Sequence, residues 1–189
     1  MIFSFFKNRK IHFKNYKPID PSMGNLTDTN VVKMPPHEFT PMIGDAHEHL
    51  VLGILMRLGL DVGLVDVSKT PYDLIVKLPK GNNTKPDFLR IQVKTVQKSL
   101  PLGAGSRGGI DREYKSSAKE YKYTTEHNDV MIGVKRDTLD LYVFPTQFAT
   151  NLGKSIALSK IEIFKNNWDV FVNWQEKNYL DNLRKDWES

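Results

Sequence analysis

The sequence predicts an α/β fold with a mixed central β-sheet flanked by helices. An apolar segment with a helical period comes first, and two pairs of strand-like segments separated by a polar crossover follow it. Aromatic residues with helical spacing come last. The order helix, strands, crossover, strands, helix is typical of helices packed on a single mixed sheet.

The first predicted element is a helix over residues 41–58. Thr40 is a suitable N-cap with Pro41 in the first turn, and Gly59 is a suitable end. Glu48 lies at the edge of the apolar stripe of this helix, between two leucines on the wheel. A carboxylate at such a position is partly buried and needs a cation or a hydrogen-bond donor.

Strand-like segments rich in β-branched residues fill the middle of the chain. They are residues 72–78, 88–96, 130–134 and 139–144. A turn cluster at residues 81–85 joins the first two segments into a predicted hairpin. The glycine-rich segment 99–109 predicts a loop, and residues 111–126 predict a helical or irregular crossover.

The two ends of the chain differ from this core. Basic and aromatic residues alternate near the N-terminus without any period, which predicts an extended arm over residues 1–40. The predicted core spans residues 41–150. Aromatic residues at helical spacing, Phe164, Trp168 and Phe171 among them, predict an amphipathic helical extension over residues 151–189.

Composition excludes several classes of protein and site. Hydrophobic residues make up 40% of the 189 residues and charged residues 26%, which is typical of a globular chain. The absence of cysteine excludes disulfides, thiolate metal ligands and a cysteine nucleophile. No apolar stretch is long enough to cross a membrane, and the N-terminus lacks the pattern of a secretory signal. We therefore expect a cytoplasmic protein without a membrane partner.

The predicted hairpin brings polar side chains together. Side chains alternate between the two faces of a strand, so Gln92 and Lys94 share the face opposite the one that points into the core. Asp73, near the start of the partner strand, is brought toward them. With Glu48 from the helix, we expect these side chains to aim at one place.

Three motifs in this order resemble those of the PD-(D/E)XK nuclease superfamily. They are GDAHEHL at residues 44–50, TPYDLIV at 70–76 and LRIQVKT at 89–95. Their spacing, with the later segment NDVMIGVKRDTLDLYVFP, resembles the subgroup of group I intron homing endonucleases and archaeal Holliday junction resolvases. The resemblance covers roughly residues 42–150 and implies a restriction-endonuclease-like core. The literal Pro86-Asp87 pair is excluded because Asp87 would face away from Gln92.

The resemblance also implies a mechanism. Asp73 would bind Mg²⁺, with Mn²⁺ as an alternative, and the Val93 carbonyl and the Gln92 side-chain oxygen would add ligands. Glu48 would hold water on the cation. Lys94 would orient or deprotonate the attacking water and stabilise charge on the phosphate. One departure is that Gln92 occupies the family's second acidic position, where an amide oxygen can ligate a cation but carries no charge.

A basic loop is the predicted contact with nucleic acid. The chain has 27 basic and 22 acidic residues, a net charge of +5 that permits a nucleic-acid partner. Lys98, Arg107, Arg112 and Lys115 surround the glycine-rich segment and are expected to contact the DNA backbone.

These observations predict a metal-dependent endonuclease that hydrolyses phosphodiester bonds in double-stranded DNA, with site-specific cutting of the homing kind as the leading interpretation. A structure-specific nuclease that acts on branched DNA, such as a Holliday junction resolvase, is the first alternative. A catalytically inactive DNA-binding module of the same fold and a structural protein that assembles through its C-terminal helix are the others. Cutting both strands predicts a homodimer or a dimer of dimers.

Overall fold

The computed structural model describes residues 36–67, 70–78, 88–106, 119–174, 176 and 178–189. All described residues belong to one compact unit, Met34–Ser189. Several predictions lie outside the described residues. They concern the first 35 residues, the turn at 81–85, Asp87, Arg107, Arg112 and Lys115.

The first helix, α1, spans Pro36–Arg57. It begins four residues before the predicted N-cap at Thr40, so Pro41 is the sixth residue of the helix and does not lie in its first turn. Proline lacks an N–H, so the helix has no backbone hydrogen bond from position 41. Gly59 follows the helix with a φ of +83°, a backbone conformation that favours glycine, so the predicted end is confirmed.

The described strands are short except for the third. They are β1 (Asp61–Leu64), β2 (Leu74–Lys77), β3 (Phe88–Val96), β4 (Ser99–Pro101), β5 (Gly103–Ser106), β6 (Lys119–Lys122), β7 (Val130–Lys135), β8 (Leu141–Pro145) and β9 (Ser155–Ala157). Within the described residues, five of them form the main sheet in the order β1-β2-β3-β7-β8. The β3–β7 pair is parallel and the other neighbours are antiparallel, so the predicted mixed sheet and the predicted β2–β3 hairpin are confirmed.

Two local predictions are wrong. Strands β4 and β5 form within the predicted loop, and β6 forms within the predicted crossover. Strand β1 forms where no strand was predicted. Strand β4 pairs with β9, far along the chain, and β5 pairs with β6. Each of these strands has only three or four residues, so its partner strand rather than its own sequence pattern decides its conformation.

The C-terminal segment is also more broken than the single amphipathic helix that its spacing predicts. It contains β9, short 3₁₀ turns, the one-turn helix α2 (Asp169–Val172) and the helix α3 (Tyr179–Glu188). Its apolar side chains complete the core instead of forming one stripe. Phe164, Val170, Phe171 and Leu183 are buried in the same hydrophobic cluster as the central sheet.

Helix α1 packs against β1 and β3 and thereby covers one part of the sheet. Val51 and Leu55 of this helix are fully buried, as are Leu74 and Ile91 of the hairpin. Burying each such side chain contributes roughly 1.5–3 kcal/mol to the free energy of folding. The packing fixes the helix over the end of β3 at which Gln92 and Lys94 lie. Among the described helices, none is long and apolar enough to cross a membrane.

Candidate active site

Asp73 is held by the backbone of the hairpin. Its N–H donates to the carbonyl of Ile91 at 2.8 Å, and its own carbonyl accepts from the N–H of Val65 at 2.8 Å. The register pairs Leu74 with Ile91, so the next position along the antiparallel pair sets Asp73 opposite Gln92. The Asp73 Oδ2 atom accepts a 2.7 Å hydrogen bond from the N–H of Val93. The carboxylate is therefore fixed beside β3, as the pleat predicts.

Gln92 is 5% exposed and has partners at both ends of its amide. Its Nε2 donates to Asp73 Oδ2 in a short hydrogen bond and to the Val93 carbonyl at 3.2 Å. Its Oε1 accepts from the hydroxyl of Tyr123 at 3.1 Å. An ionised carboxylate only accepts, so the amide turns its nitrogen toward it. The predicted ligand oxygen of Gln92 thus faces Tyr123 and not Asp73.

Lys94 lies two residues further along the same face of β3. Its Nζ is 5.4 Å from the centre of the Tyr123 ring, within the range of a cation–π contact. Burial lowers the pKa of its ammonium, and the Asp73 and Glu48 carboxylates oppose that shift. Lys94 therefore loses a proton more readily than a solvated lysine does.

Glu48 projects from α1 toward the same place and is half-buried. Burial raises its pKa to about 7, and the charges of Asp73 and Asp45 add to the shift. Burial also raises the pKa of Asp73, against the hydrogen bond from Val93 and the charge of Lys94. Two carboxylates in one partly dry site favour protonation of each other.

These side chains line one cavity of about 330 Å³. Its walls come from α1, the start of β2, the end of β3 and the turn after β7. The lining residues are Ile43, Gly44, Glu48, Asp73, Gln92, Val93, Lys94, Thr95 and Arg136. Every residue predicted to form the catalytic and metal-binding group is among them.

The structure adds residues that the sequence motifs did not single out. His47 is buried, with its Nδ1 2.8 Å from Thr95 Oγ1, and this contact joins α1 to β3. Burial lowers the pKa of His47, and the charge of Arg136 adds to the shift. Tyr123, whose hydroxyl contacts Gln92, lies outside every motif, 28 residues beyond the end of LRIQVKT. Arg136 lines the cavity and lies within the later segment NDVMIGVKRDTLDLYVFP, which does not single it out. Neither contact has a local signal, because only tertiary packing brings these side chains to the site.

Of the four residues predicted to contact DNA, only Lys98 lies within the described residues. It is exposed at the junction of β3 and β4, and its carbonyl accepts from the N–H of Leu158 at 3.0 Å. It does not line the cavity. Its role in DNA binding stays a prediction.

The donor set suits a hard cation. Two carboxylates, Glu48 and Asp73, and the carbonyl of Val93 offer oxygen atoms around the cavity, which are the ligands that Mg²⁺ prefers. Burial is the main cause of the raised pKa of each carboxylate, and the charge of Lys94 opposes it. Within the described ranges, no group of three or more His, Asp or Glu side chains gathers at one point. A cation here would accordingly need water and phosphate oxygens to complete its shell.

Comparison with protein families agrees with this geometry. The family model described as PD-(D/E)XK endonuclease matches residues 39–177, which is most of the chain and includes all three motifs. The chain belongs to the PD-(D/E)XK endonuclease family. The predicted resemblance is confirmed, and membership supports a nuclease activity. The family match extends beyond residue 150, where the sequence motifs end.

A solved structure has the same fold as this PD-(D/E)XK chain. A bacterial homing endonuclease, I-Ssp6803I, superposes with a TM-score of 0.58 at 15% sequence identity, covering 72% of this chain and 95% of that one. At that identity the likeness establishes the fold, and the predicted α/β core is confirmed. No curated protein sequence matches the chain.

Proposed function

We propose that the chain is a Mg²⁺-dependent endonuclease that cuts double-stranded DNA at specific sites. One observation supports this above the others. Glu48, Asp73, the Val93 carbonyl and Lys94 come from three elements and face one cavity. Membership of the PD-(D/E)XK family and the fold of a homing endonuclease agree with it.

Each side chain has a role that its surroundings suit. Asp73, Glu48 and the Val93 carbonyl would hold the cation, with Mn²⁺ as an alternative to Mg²⁺. The bound cation would polarise the scissile phosphate and lower the pKa of an attacking water. Lys94 orients that water and stabilises the charge that develops on the phosphate oxygens. Its lowered pKa also allows it to accept a proton.

Double-strand cutting requires two such sites. A homodimer or a dimer of dimers in which each chain supplies this cavity would present two sites related by a two-fold axis. Contacts to the DNA backbone would come from basic side chains, of which Lys98, Arg107, Arg112 and Lys115 are the candidates.

A second function is favoured by one specific feature. The Gln92 amide stands where the family has an acid, and its nitrogen donates to the Asp73 carboxylate. This removes one negative charge from the site and satisfies an oxygen that a cation would otherwise contact. A DNA-binding module that has lost cleavage is the function that this feature supports.

The test is an incubation of supercoiled plasmid and a synthetic four-way junction with the protein in Mg²⁺, in Mn²⁺ or in EDTA. Nicking or linearisation that requires the cation and is lost in Asp73→Asn supports the proposal. Cleavage confined to the junction indicates a structure-specific resolvase instead. DNA binding in EDTA with no cleavage in either cation indicates the inactive module.

A further inference from the structure

Tyr123 contacts two residues of the catalytic motif at once, although it lies outside every motif in the sequence. It follows β6, is 2% exposed, and its N–H donates to the carbonyl of Leu102 at 2.9 Å. Its hydroxyl donates to Gln92 Oε1 at 3.1 Å. The face of its ring lies 5.4 Å from the Nζ of Lys94.

The contact to Gln92 decides which end of the amide faces Asp73. With Oε1 taken by the hydroxyl, Nε2 is directed to the Asp73 carboxylate and the Val93 carbonyl. A cation bound at Asp73 would favour the opposite orientation of the Gln92 amide, because a cation attracts the amide oxygen and repels the amide hydrogens. Gln92 would then have to turn over and direct Nε2 toward Tyr123.

A tyrosine hydroxyl suits both arrangements, since it can donate to an oxygen or accept from an N–H. A phenylalanine at this position could do neither. We propose that Tyr123 is a positioning residue of the site, whose hydroxyl holds the Gln92 amide in either of two orientations. The orientation with Nε2 toward Asp73 belongs to the cation-free protein, and the reversed one to the cation-loaded protein. This inference rests on the proposed cation-dependent function.

The ring of Tyr123 has a separate effect. It makes a cation–π contact with the Lys94 ammonium and so stabilises a charge that burial disfavours. Tyr123→Phe removes the hydroxyl and keeps the ring, so it isolates the effect on Gln92.

The experiment measures Mn²⁺ binding by electron paramagnetic resonance, without DNA, in two backgrounds. In the wild-type background, Tyr123→Phe should weaken Mn²⁺ binding roughly tenfold, because the reversed amide loses the hydroxyl that accepts from its Nε2 in a buried site. In the Gln92→Glu background the same change should alter binding less than about twofold, because a carboxylate presents an oxygen at both ends. Tyr142→Phe is the matched control. Tyr142 is a buried tyrosine of β8, and its hydroxyl donates to Glu162 at 3.2 Å. Removing this hydroxyl should leave Mn²⁺ binding unchanged.

A merely structural hydroxyl would behave differently. An equal loss of Mn²⁺ affinity in both backgrounds, or no loss in either, would overturn the role of Tyr123 and leave the nuclease proposal standing. A wild-type protein that binds no Mn²⁺ would overturn both. Melting temperatures of the variants in EDTA verify that each protein is folded before the affinities are compared.

Discussion

Strand β3 carries a charged cluster near each end, and the two clusters differ in how well their charges are satisfied. At its start, Arg90 donates to both oxygens of Asp129 and to the carbonyls of Thr125 and Glu126, at 2.5–3.1 Å. At its other end, Lys94 lies in a cavity with Asp73 and Glu48. Both basic residues project from the same face, four positions apart.

The pKa shifts in the two clusters run in opposite directions. The hydrogen bond to Asp129 raises the pKa of the Arg90 guanidinium, so its charge is stabilised by its surroundings. Burial lowers the pKa of Lys94 and raises those of Asp73 and Glu48, so the charges of these three side chains are disfavoured by their surroundings. A satisfied cluster contributes to folding, and an unsatisfied one is prepared to bind a charged ligand. The predictions that follow test this contrast.

The largest contrast is expected between two matched aspartate substitutions. Asp73→Asn should reduce DNA cleavage at least about 10³-fold with DNA binding in EDTA retained, because it removes a charge needed for the cation. Asp129→Asn should leave cleavage per folded molecule unchanged and lower the free energy of unfolding by about 1–3 kcal/mol, because Arg90 loses its charged partner. Plasmid nicking and urea denaturation measure the two effects. Wild-type nicking by Asp73→Asn would remove Asp73 from the site.

Two matched substitutions of the basic residues should affect stability differently. Lys94→Met retains most of the aliphatic chain and should reduce cleavage about 10²-fold or more, because charge on the phosphate is no longer stabilised. Its free energy of unfolding should be unchanged or higher, since a disfavoured charge is removed. Arg90→Met should instead lose about 1–3 kcal/mol of stability, because Asp129 Oδ1 and the carbonyl of Glu126 lose the guanidinium as a donor. A Lys94→Met protein that is less stable than the wild type would contradict the claim that the charge of Lys94 is disfavoured in the folded protein.

Gln92 is the position at which charge can be restored to the cavity. Gln92→Glu should tighten Mg²⁺ binding roughly tenfold, because an added carboxylate attracts the cation in a partly buried site. It should also lower stability in EDTA by about 1 kcal/mol through repulsion with Asp73 and Glu48. Calorimetric titration with Mg²⁺ and thermal melting separate the two effects.

The control at this position is Gln92→Leu, which keeps similar bulk without an oxygen. It should weaken Mg²⁺ binding or abolish cleavage, whereas normal cutting by this variant would place residue 92 outside the group that contacts the cation.

The smallest expected effect is the pH dependence that Glu48 confers on stability. Its pKa in the folded protein, about 7, lies above its ordinary value of 4.5, so the folded state binds more protons between these values. Stability in EDTA should therefore fall as pH rises from 5 to 8, by on the order of 1 kcal/mol once solvent screening of this half-buried group is included. Glu48→Gln should remove this part of the slope. Urea denaturation at each pH gives the free energy of unfolding of both proteins. If its slope against pH is the same for the wild type and Glu48→Gln, the pKa of Glu48 is not raised.

Much of the site follows from local pattern. The alternation of side chains along β3 puts Gln92 and Lys94 on one face, and the hairpin register brings Asp73 to them. The edge of the apolar stripe on α1 identifies Glu48 as half-buried. These features depend on periods of two and 3.6 residues, which the sequence displays directly. For the same reason α1, β2, β3, β7 and β8 were predictable.

The remainder depends on neighbours that are distant in sequence. Strands of three or four residues, such as β1 and β4, form because a partner strand is available, and their own residues do not reveal it. Arg136 reaches the cavity, Tyr123 reaches Gln92 and His47 reaches Thr95 only after the sheet has assembled.

By itself the sequence therefore determined the family, the order of the main elements and the identity of the central motif residues. The tertiary structure decided which end of the Gln92 amide faces Asp73, because that depends on the donors and acceptors around it. It also decided the direction of each pKa shift, because burial and the distance between charges exist only in the folded chain.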